Sequence, residues 1–458
     1  MSFRQRRYFF MALVLLWHVG IAPFAVASVK QNAGVLYPVV KRDTLLNGLQ
    51  LLTIEKAGAG SVTLRVRVNS GALFDLAGKG GLAEVTSAML LRGGGSYNAG
   101  SLKSTIEGLG LSLQIAAAWD AIDVELSGSA DSAEIMFDLL GAMLITPTFD
   151  AKELDALKAE QLAALTNDKS DSIALNRKAR ELVFGSHPFG RPIKSTSESL
   201  QQIAKADVVY FHKKFFLANN AVLMASGDIT AEQVTKYSRA KLGAWKKGDR
   251  VSPAFRPPDN ATSRRIVVLD RPEGTEAQAI IAQIGASRRS QDYFAALAMH
   301  EILKARLAAQ SKAKVTVEFI PQIIASPYLM RVVAQPSEMV SALNEVLATM
   351  TRMQESMPTV EQLEAAKAAI TARFTEQLKS NPGEMLLDIE LYGLGRDYLV
   401  TYIERVNAIT PADVQGAAKA HLQPQTSVIV VAGPAKSYET ELKKIGGVSS
   451  TSEAAILK

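Results

Sequence analysis

No cysteine occurs in the 458 residues. Disulfides, thiolate nucleophiles, cysteine-ligated metals and a lipid-bearing N-terminal cysteine are thereby excluded. Histidine is nearly as scarce: of five, only His187, His212, His300 and His421 lie beyond the N-terminal segment. There is no G-x-S-x-G elbow, no H-E-x-x-H helix, no Walker loop and no G-x-G-x-x-G after a strand. The one long apolar run, residues 8–24, is interrupted by His18, Gly20 and Pro23 and is short for a membrane span. Charge of one sign is also lacking once that segment is set aside. Residues 1–27 hold Arg4, Arg6 and Arg7 and no acid, so their removal takes the net charge from +6 to +3. That balance gives no case for nucleic acid as a partner.

The N-terminal segment reads as a secretory signal peptide: arginines, an apolar run, then Ala25-Val26-Ala27 as a small-residue cleavage pattern before Ser28. The mature chain is expected to be exported and periplasmic, with no stable membrane span. Without disulfides it must rely on its core, which suits a large periplasmic domain. Hydrophobic content of 48% and charged content of 21% are those of a globular protein.

Residues 28–44 read as an extended lead-in and 45–250 as one lobe. A Pro-rich linker follows at 251–263 with Pro253, Pro257 and Pro258, then a second lobe at 264–440 and a loosely ordered tail at 441–458. The lobes are supported by an internal repeat. Ile203, Asp207, Val208, Val222 and Gly227 recur 206 residues later as Ile409, Asp413, Val414, Val428 and Gly433. Pro147-Thr148 with Leu154 and Lys158 is matched, two residues out of register, by Pro358-Thr359 with Leu363 and Lys367. A repeat of this size indicates duplicated α+β domains, each a mostly antiparallel sheet packed with helices, and not a solenoid. Gly93-Gly94-Gly95 reads as a flexible connector, Asp120 and Asp123 beside Trp119 as a surface turn, and Met339, Met350 and Met353 as helix core. His212 and His421 occupy non-matching positions in the repeat and read as local packing residues.

The stretch Gly81-Leu82-Ala83-Glu84-Val85-Thr86-Ser87-Ala88-Met89 follows a strand-like segment and the turn Ser70-Gly71. Leu82, Val85 and Met89 recur at helical spacing and predict a helix with one buried face. This layout, with His187-Pro188-Phe189-Gly190 downstream, resembles the pitrilysin/insulinase family of zinc metallopeptidases, the inverzincins. Their helix carries H-x-x-E-H at this point. Laid on that pattern, the first His falls on Glu84, the Glu on Ser87 and the second His on Ala88. The family's further Glu ligand falls on Gln161, beside Glu160. A hydrolytic zinc site needs three protein ligands, an open water position and a base. Ala88 has no donor atom, Ser87 is no base near neutral pH, and Gln161 is a poor ligand. No catalytic, metal or cofactor-binding residue is therefore expected, and the zinc that the family binds is expected to be lost. Glu84 and Glu160 read as solvated helix surface, and so do His300 and Glu301, which point about 100° apart on a helix. His187 reads as a turn hydrogen-bonder.

In related chains the second lobe supplies a Gly-rich turn and an Arg and Tyr pair that hold the substrate backbone. Here Met299-His300-Glu301-Ile302-Leu303 passes directly to Lys304-Ala305-Arg306-Leu307, and residues 309–314 are too short for that run. The resemblance implies two-lobed halves that face each other around a chamber. It points to a non-catalytic homologue that pairs with a zinc-bearing catalytic partner, or forms a homodimer, or binds peptides as a scaffold. The alternatives are a peptidase with a relocated site on Glu84, Glu160 and an imported His300, and a structural component of a cell-envelope assembly.

Overall fold

The alternation in Ser-Val-Thr-Leu-Arg-Val-Arg-Val, residues 61–68, buries Val62, Leu64, Val66 and Val68 on one face and sends Arg65 and Arg67 to the other. This two-sided strand is central to the first of two sheets in the computed structural model, which describes residues 36–167, 171–251 and 255–451. Residues 1–27, read as a signal peptide, lie outside the described residues, as do the start of the lead-in and residues 452–458.

The N-terminal lobe contains β1 (Lys41–Thr44), β2 (Gln50–Glu55), β3 (Ser61–Val68), the short pair β4 (Gly93–Gly94) and β5 (Tyr97–Asn98), β6 (Ser112–Ala117), β7 (Ile122–Ser129) and β8 (Ala221–Gly227). Its helices are α1 (Leu82–Met89), α2 (Ala99–Gly108), α3 (Ala133–Ile145), α4 (Ala151–Asn167), α5 (Asp171–Phe184), α6 (Ser197–Gln202), α7 (Lys205–Phe215) and α8 (Ala231–Leu242). The C-terminal lobe has β9 (Arg265–Asp270), β10 (Ala277–Gly285), α9 (Tyr293–Gln310), β11 (Lys314–Phe319), β12 (Ser326–Ala334), α10 (Met339–Glu355), α11 (Val360–Ser380), α12 (Pro382–Tyr392), α13 (Tyr398–Asn407), α14 (Pro411–His421), β13 (Val428–Gly433), α15 (Glu439–Leu442) and β14 (Gly447–Thr451). This is an α+β protein of two homologous lobes.

The first sheet runs β1-β2-β8-β3-β7-β6 and the second β11-β12-β10-β13-β9-β14. Read from opposite ends, the orders are the same. In each, the lobe's late strand (β8, β13) is parallel to one early strand and antiparallel to the other. Gln50 faces Val222 in the first sheet and Arg265 faces Val428 in the second, so the 206-residue offset is also a structural equivalence. The repeated residues have physical reasons. Asp207 and Asp413 accept from the N-cap N–H groups of Ala204 and Thr410, at 2.8 Å each. Lys158 and Lys367 donate to the carbonyls of Ile203 and Asn407, at 3.0 Å each, tying a long helix to a helix C-terminus. Gly227 and Gly433 end their strands at φ 130° and 147°, a region that L side chains rarely adopt.

Two elements differ from the sequence reading. The described part of the tail, residues 441–451, is not loose: β14 pairs parallel with β9 at the sheet edge, taking the place that β1 takes in the other sheet from the opposite end of the chain. Gly93-Gly94-Gly95 is not a free connector, because Gly93 and Gly94 pair with Asn98 and Tyr97 and a Cβ on Gly94 would overlap the Ala142 carbonyl of α3.

The lobes exchange helices. α5 packs on β10 and β13 of the second sheet, and α12 packs on β8 of the first. Ala174, Leu175 and Ala179 join Leu269, Ile280, Ala282 and Val430 in one core, and Leu386, Leu387 and Ile389 join Leu52, Ile54, Val222 and Met224 in the other. These shared apolar cores tie the lobes to each other.

Candidate functional site

The start of α1 is built with care. Gly81 precedes it in a left-handed conformation, φ 90°, and a Cβ there would overlap Ser195. Asp75 reaches across the turn: its Oδ2 accepts from Gly81 N (2.7 Å) and its Oδ1 from Ala83 N (2.8 Å), satisfying orphan donors of the first turn. Burial nevertheless pushes the Asp75 carboxyl up to about 7 against those hydrogen bonds. Arg191, next to the His-Pro-Phe-Gly turn, donates to the Asp75 carbonyl. His187 Nδ1 accepts from Phe189 N at 3.2 Å, as a turn hydrogen-bonder does. The fully buried Phe189 ring meets Trp119 edge-on at 5.4 Å. The segment around the second signature thus braces the turn that leads into the first.

What stands at the degenerate positions has other work. Glu84 is not on a solvated face. It is half-buried, its Oε2 accepts from Ser195 N at 3.0 Å, and burial raises its carboxyl above the ordinary range. The buried Ser87 donates to the Glu84 carbonyl at 2.8 Å. Ala88 contributes a methyl group to the core margin. Helix α4 packs against α1, and the Oε1 of Gln161 is buried there without a hydrogen-bond partner among the described residues. Glu160 is exposed and pairs with Arg92 at 2.6 Å, as a solvated residue would. These residues do not fit zinc: one carboxylate is committed to a backbone N–H, one hydroxyl to a carbonyl, and the third position lacks a donor. No cluster of three or more His, Asp or Glu able to hold a metal occurs among the described residues.

His300 and Glu301 are buried, contrary to their reading as solvated surface, because α9 runs through the middle of the second lobe. His300 Nδ1 lies 3.3 Å from the Tyr328 hydroxyl, and burial holds the imidazole low, near 4. Burial would raise the Glu301 carboxyl, but its ion pair with Arg373 and the nearby Lys304 hold it down. His300 therefore belongs to the second core and is not gathered with Glu84 and Glu160. His212 and His421 each bond within their own lobe but to partners distant in sequence, Nε2 to the Leu144 carbonyl (2.9 Å) and Nε2 to Asp292 Oδ2 (2.6 Å). Met339, Met350 and Met353 are buried along α10.

Asp120 and Asp123, read as a surface turn, sit at the seam between lobes. Asp123 and Glu125 on β7 face Arg67 and Arg65 on β3, and Glu384 and Asp388 of α12 close the set from above. Arg67 Nη1 to Asp388 Oδ1 is 2.6 Å. Burial would lower the Arg67 guanidinium; the facing carboxylates outweigh it and keep it charged. Asp120 Oδ2 accepts from Ile323 N (2.9 Å) and the Tyr392 hydroxyl (3.2 Å), both from the second lobe. The alternating Arg65 and Arg67 within an apolar strand were the sequence signal for this seam: two cations facing a sheet surface need partners.

With this geometry in view, comparison with known proteins is direct. Residues 50–196 match the family described as insulinase (peptidase family M16), and residues 202–370 match the peptidase M16 inactive domain. The chain belongs to the M16 family. Among curated M16 relatives, it is 23% identical over 286 residues to the mitochondrial-processing peptidase subunit beta of Blastocladiella emersonii, covering 62% of this chain and 61% of that one. It is 21% identical over 263 residues to the non-peptidase homolog YmxG of Helicobacter pylori, covering 57% and 58%. These matches span about three-fifths of the relatives' length. Among solved structures, an M16 inactive domain from Pseudomonas fluorescens superposes with a TM-score of 0.78 at 22% identity, over 86% of this chain and 98% of that one. At that identity the likeness speaks to the fold.

Proposed function

We propose that this chain is a non-catalytic M16 half that works in the periplasm, either paired with a zinc-bearing catalytic half or binding peptides itself. The observation that carries the reading is the state of α1. The helix is capped by Asp75, while Glu84, Ser87, Ala88 and Gln161 stand at the positions where the family pattern has its donors and base. The similarity to a relative named as a non-peptidase homolog supports it. The similarity to a relative named as a peptidase subunit supports the pairing. Two of the four edge strands, β6 and β11, alternate exposed and half-buried residues, which is the geometry to which an extended peptide adds as a further strand.

The test is a native pull-down of the mature chain from its own periplasm, with co-purifying chains identified and zinc measured. A stoichiometric partner with an intact H-x-x-E-H makes this the non-catalytic subunit. Recovery alone without zinc moves the weight to peptide binding or to an envelope scaffold. Stoichiometric zinc with peptide cleavage by this chain alone refutes the proposal. Cytoplasmic recovery with residues 1–27 intact refutes the location.

A further inference from the structure

Residues 205–250 hold nine Lys or Arg and four Asp or Glu, a net of +5 where the whole chain beyond residue 27 carries +3. The fold gathers much of this excess at one end of the N-terminal lobe. Three segments are tied together there: the β1–β2 turn, the C-terminal end of α7 with residues 216–219, and residues 242–250 at and after the end of α8. Asn47 Nδ2 in the turn donates to the carbonyls of Leu242 (2.8 Å) and Trp245 (3.2 Å). Ala218 N donates to the Lys246 carbonyl (3.0 Å), Asn219 and Gly248 exchange two bonds, and the buried Trp245 donates its indole N–H to the Phe216 carbonyl. These ties use backbone and short or buried side chains and leave the long ones outside. Lys213, Lys214, Lys246, Lys247 and Arg250 are exposed and form no ion pair among the described residues, whereas Lys241 is paired with Asp138. Attraction to a helix C-terminus accounts for Lys213 and Lys214, in the last turn of α7, but not for Lys246, Lys247 and Arg250, which lie beyond α8.

At the same end the β1–β2 turn presents Leu46, fully exposed while its neighbour Leu45 is buried. Gly48 N donates to the Leu45 carbonyl (2.8 Å) and Leu45 N to that of Leu49 (3.0 Å), so the leucine projects from a fixed tip. On α7 the exposed Tyr210 stands one turn before Lys213 and Lys214 and shares their face. A lone exposed leucine needs no explanation. A leucine on a held tip, at an end carrying five unpaired cations, combines the two attractions by which a peripheral protein binds a charged bilayer. Lys and Arg are drawn to anionic headgroups, and an apolar side chain enters between them. We propose that this end of the N-terminal lobe docks on an anionic phospholipid surface, with Leu46 entering the headgroup layer and the five cations meeting lipid phosphates. A nucleic acid would meet the cations but give the leucine no apolar layer to enter. The contact is peripheral: among the described residues no helix is long and apolar enough to cross a membrane. It uses none of the residues on which the non-catalytic reading rests and stands apart from that reading.

The experiment is co-sedimentation of the full mature chain with vesicles of phosphatidylcholine alone and of phosphatidylcholine with phosphatidylglycerol in equal parts. Binding is expected to the mixture and not to phosphatidylcholine alone, and should weaken as salt is raised. The double variant Lys246→Glu/Lys247→Glu should weaken binding roughly twentyfold or more, at about fivefold for each cation lost. Leu46→Ser should weaken it roughly tenfold. The replaced side chains are exposed and unpaired in the fold, so both variants should keep the parent Tm, which separates lost binding from lost structure. Lys419→Glu, at an exposed lysine on α14 of the other lobe, should leave binding unchanged. Equal binding to both vesicles, no binding to the mixture, unchanged binding by either variant, or a loss from Lys419→Glu as large as that of the double variant overturns the proposal. So does a DNA duplex that binds as tightly as the mixture with Leu46→Ser without effect on either, the mark of a general polyanion surface.

Discussion

Helix α5 leaves the N-terminal lobe to cover the second sheet, and α12 returns the contact on the first, yet the two arms do so with different chemistry. Each ends on a left-handed glycine, Gly185 at φ 55° and Gly393 at φ 62°. α12 brings Glu384, Asp388 and Glu390 to Arg65, Arg67 and Arg42. α5 brings small and apolar residues, Ala174, Leu175 and Ala179, and one half-buried cation, Arg180, which lies 5.0 Å from the Trp119 ring. Burial lowers the Arg180 guanidinium to about 10, with only Glu318 opposing. Duplication thus preserved the path of the arm and not its contacts. One arm of the seam is ionic and specific in register; the other is a packed face.

That difference can be broken from either side. Arg67→Ala should have the largest effect, because it leaves Asp123, Glu384 and Asp388 facing each other with their shared, 4%-exposed cation gone. The expected loss is about 3–5 kcal/mol, read by urea unfolding. Leu175→Ala on the other arm removes a fully buried side chain and should cost about 3 kcal/mol in the same assay, without the salt dependence that the ionic arm shows. Equal salt dependence for both variants would erase the distinction.

The repeated glycines sharpen the comparison at smaller scale. Gly433→Ala places its Cβ 3.0 Å from the Ala277 Cβ at an unfavourable φ and should cost about 1–2 kcal/mol. Gly227→Ala should cost more, since its Cβ would overlap the Ser61 carbonyl, a backbone atom that cannot swing aside.

Two further expected effects have opposite signs in the two lobes. Asp75, before α1, has a folded-state carboxyl raised to about 7, so between pH 4 and 7 the folded chain holds a proton that the unfolded chain has released. Its contribution to stability is fully present below the unfolded-state value and is lost as pH rises through that window. Asp292, before α9, is lowered by its hydrogen bond from His421 against burial, so its contribution is present above the ordinary carboxylate range and is lost on acidification. Stability curves of Asp75→Asn and Asp292→Asn against pH should lose these opposite slopes. Parallel changes would contradict the assignment.

Much of the frame was legible in the sequence. Periodicity marked α1, and the offset of 206 residues marked the duplication, because the repeated Asp, Val and Gly positions are held by local capping, core burial and backbone geometry. At Ala88 the sequence alone shows a side chain with no donor atom, and at Ser87 a hydroxyl where the family pattern has its base. What was hidden depends on distant chain. Glu84 looked like solvated surface because nothing near it in sequence shows Ser195 arriving. Asp120 looked like a turn residue because its partners come from α12 and the residues before β12, and Asp123 because its partner, Arg67, comes from β3. His300 and Glu301 looked exposed because the central passage of α9 is a property of the whole lobe. The tail was misread because a five-residue edge strand, Gly447–Thr451, has little apolar pattern of its own and is defined by β9.

Each sheet places its late strand in the middle. β2 and β3 are neighbours along the chain but not in space, because β8 lies between them; β13 stands likewise between β9 and β10. A chain emerging from its N-terminus therefore cannot zip the first sheet outward from a hairpin. It must keep a slot open until residues 221–227 exist, and again until residues 428–433. Closure of such distant pairs is slow. While it waits, the unfinished lobe presents two unpaired strand flanks to any other chain, so a C-terminal truncation that removes β13 should yield aggregate and not a shortened fold.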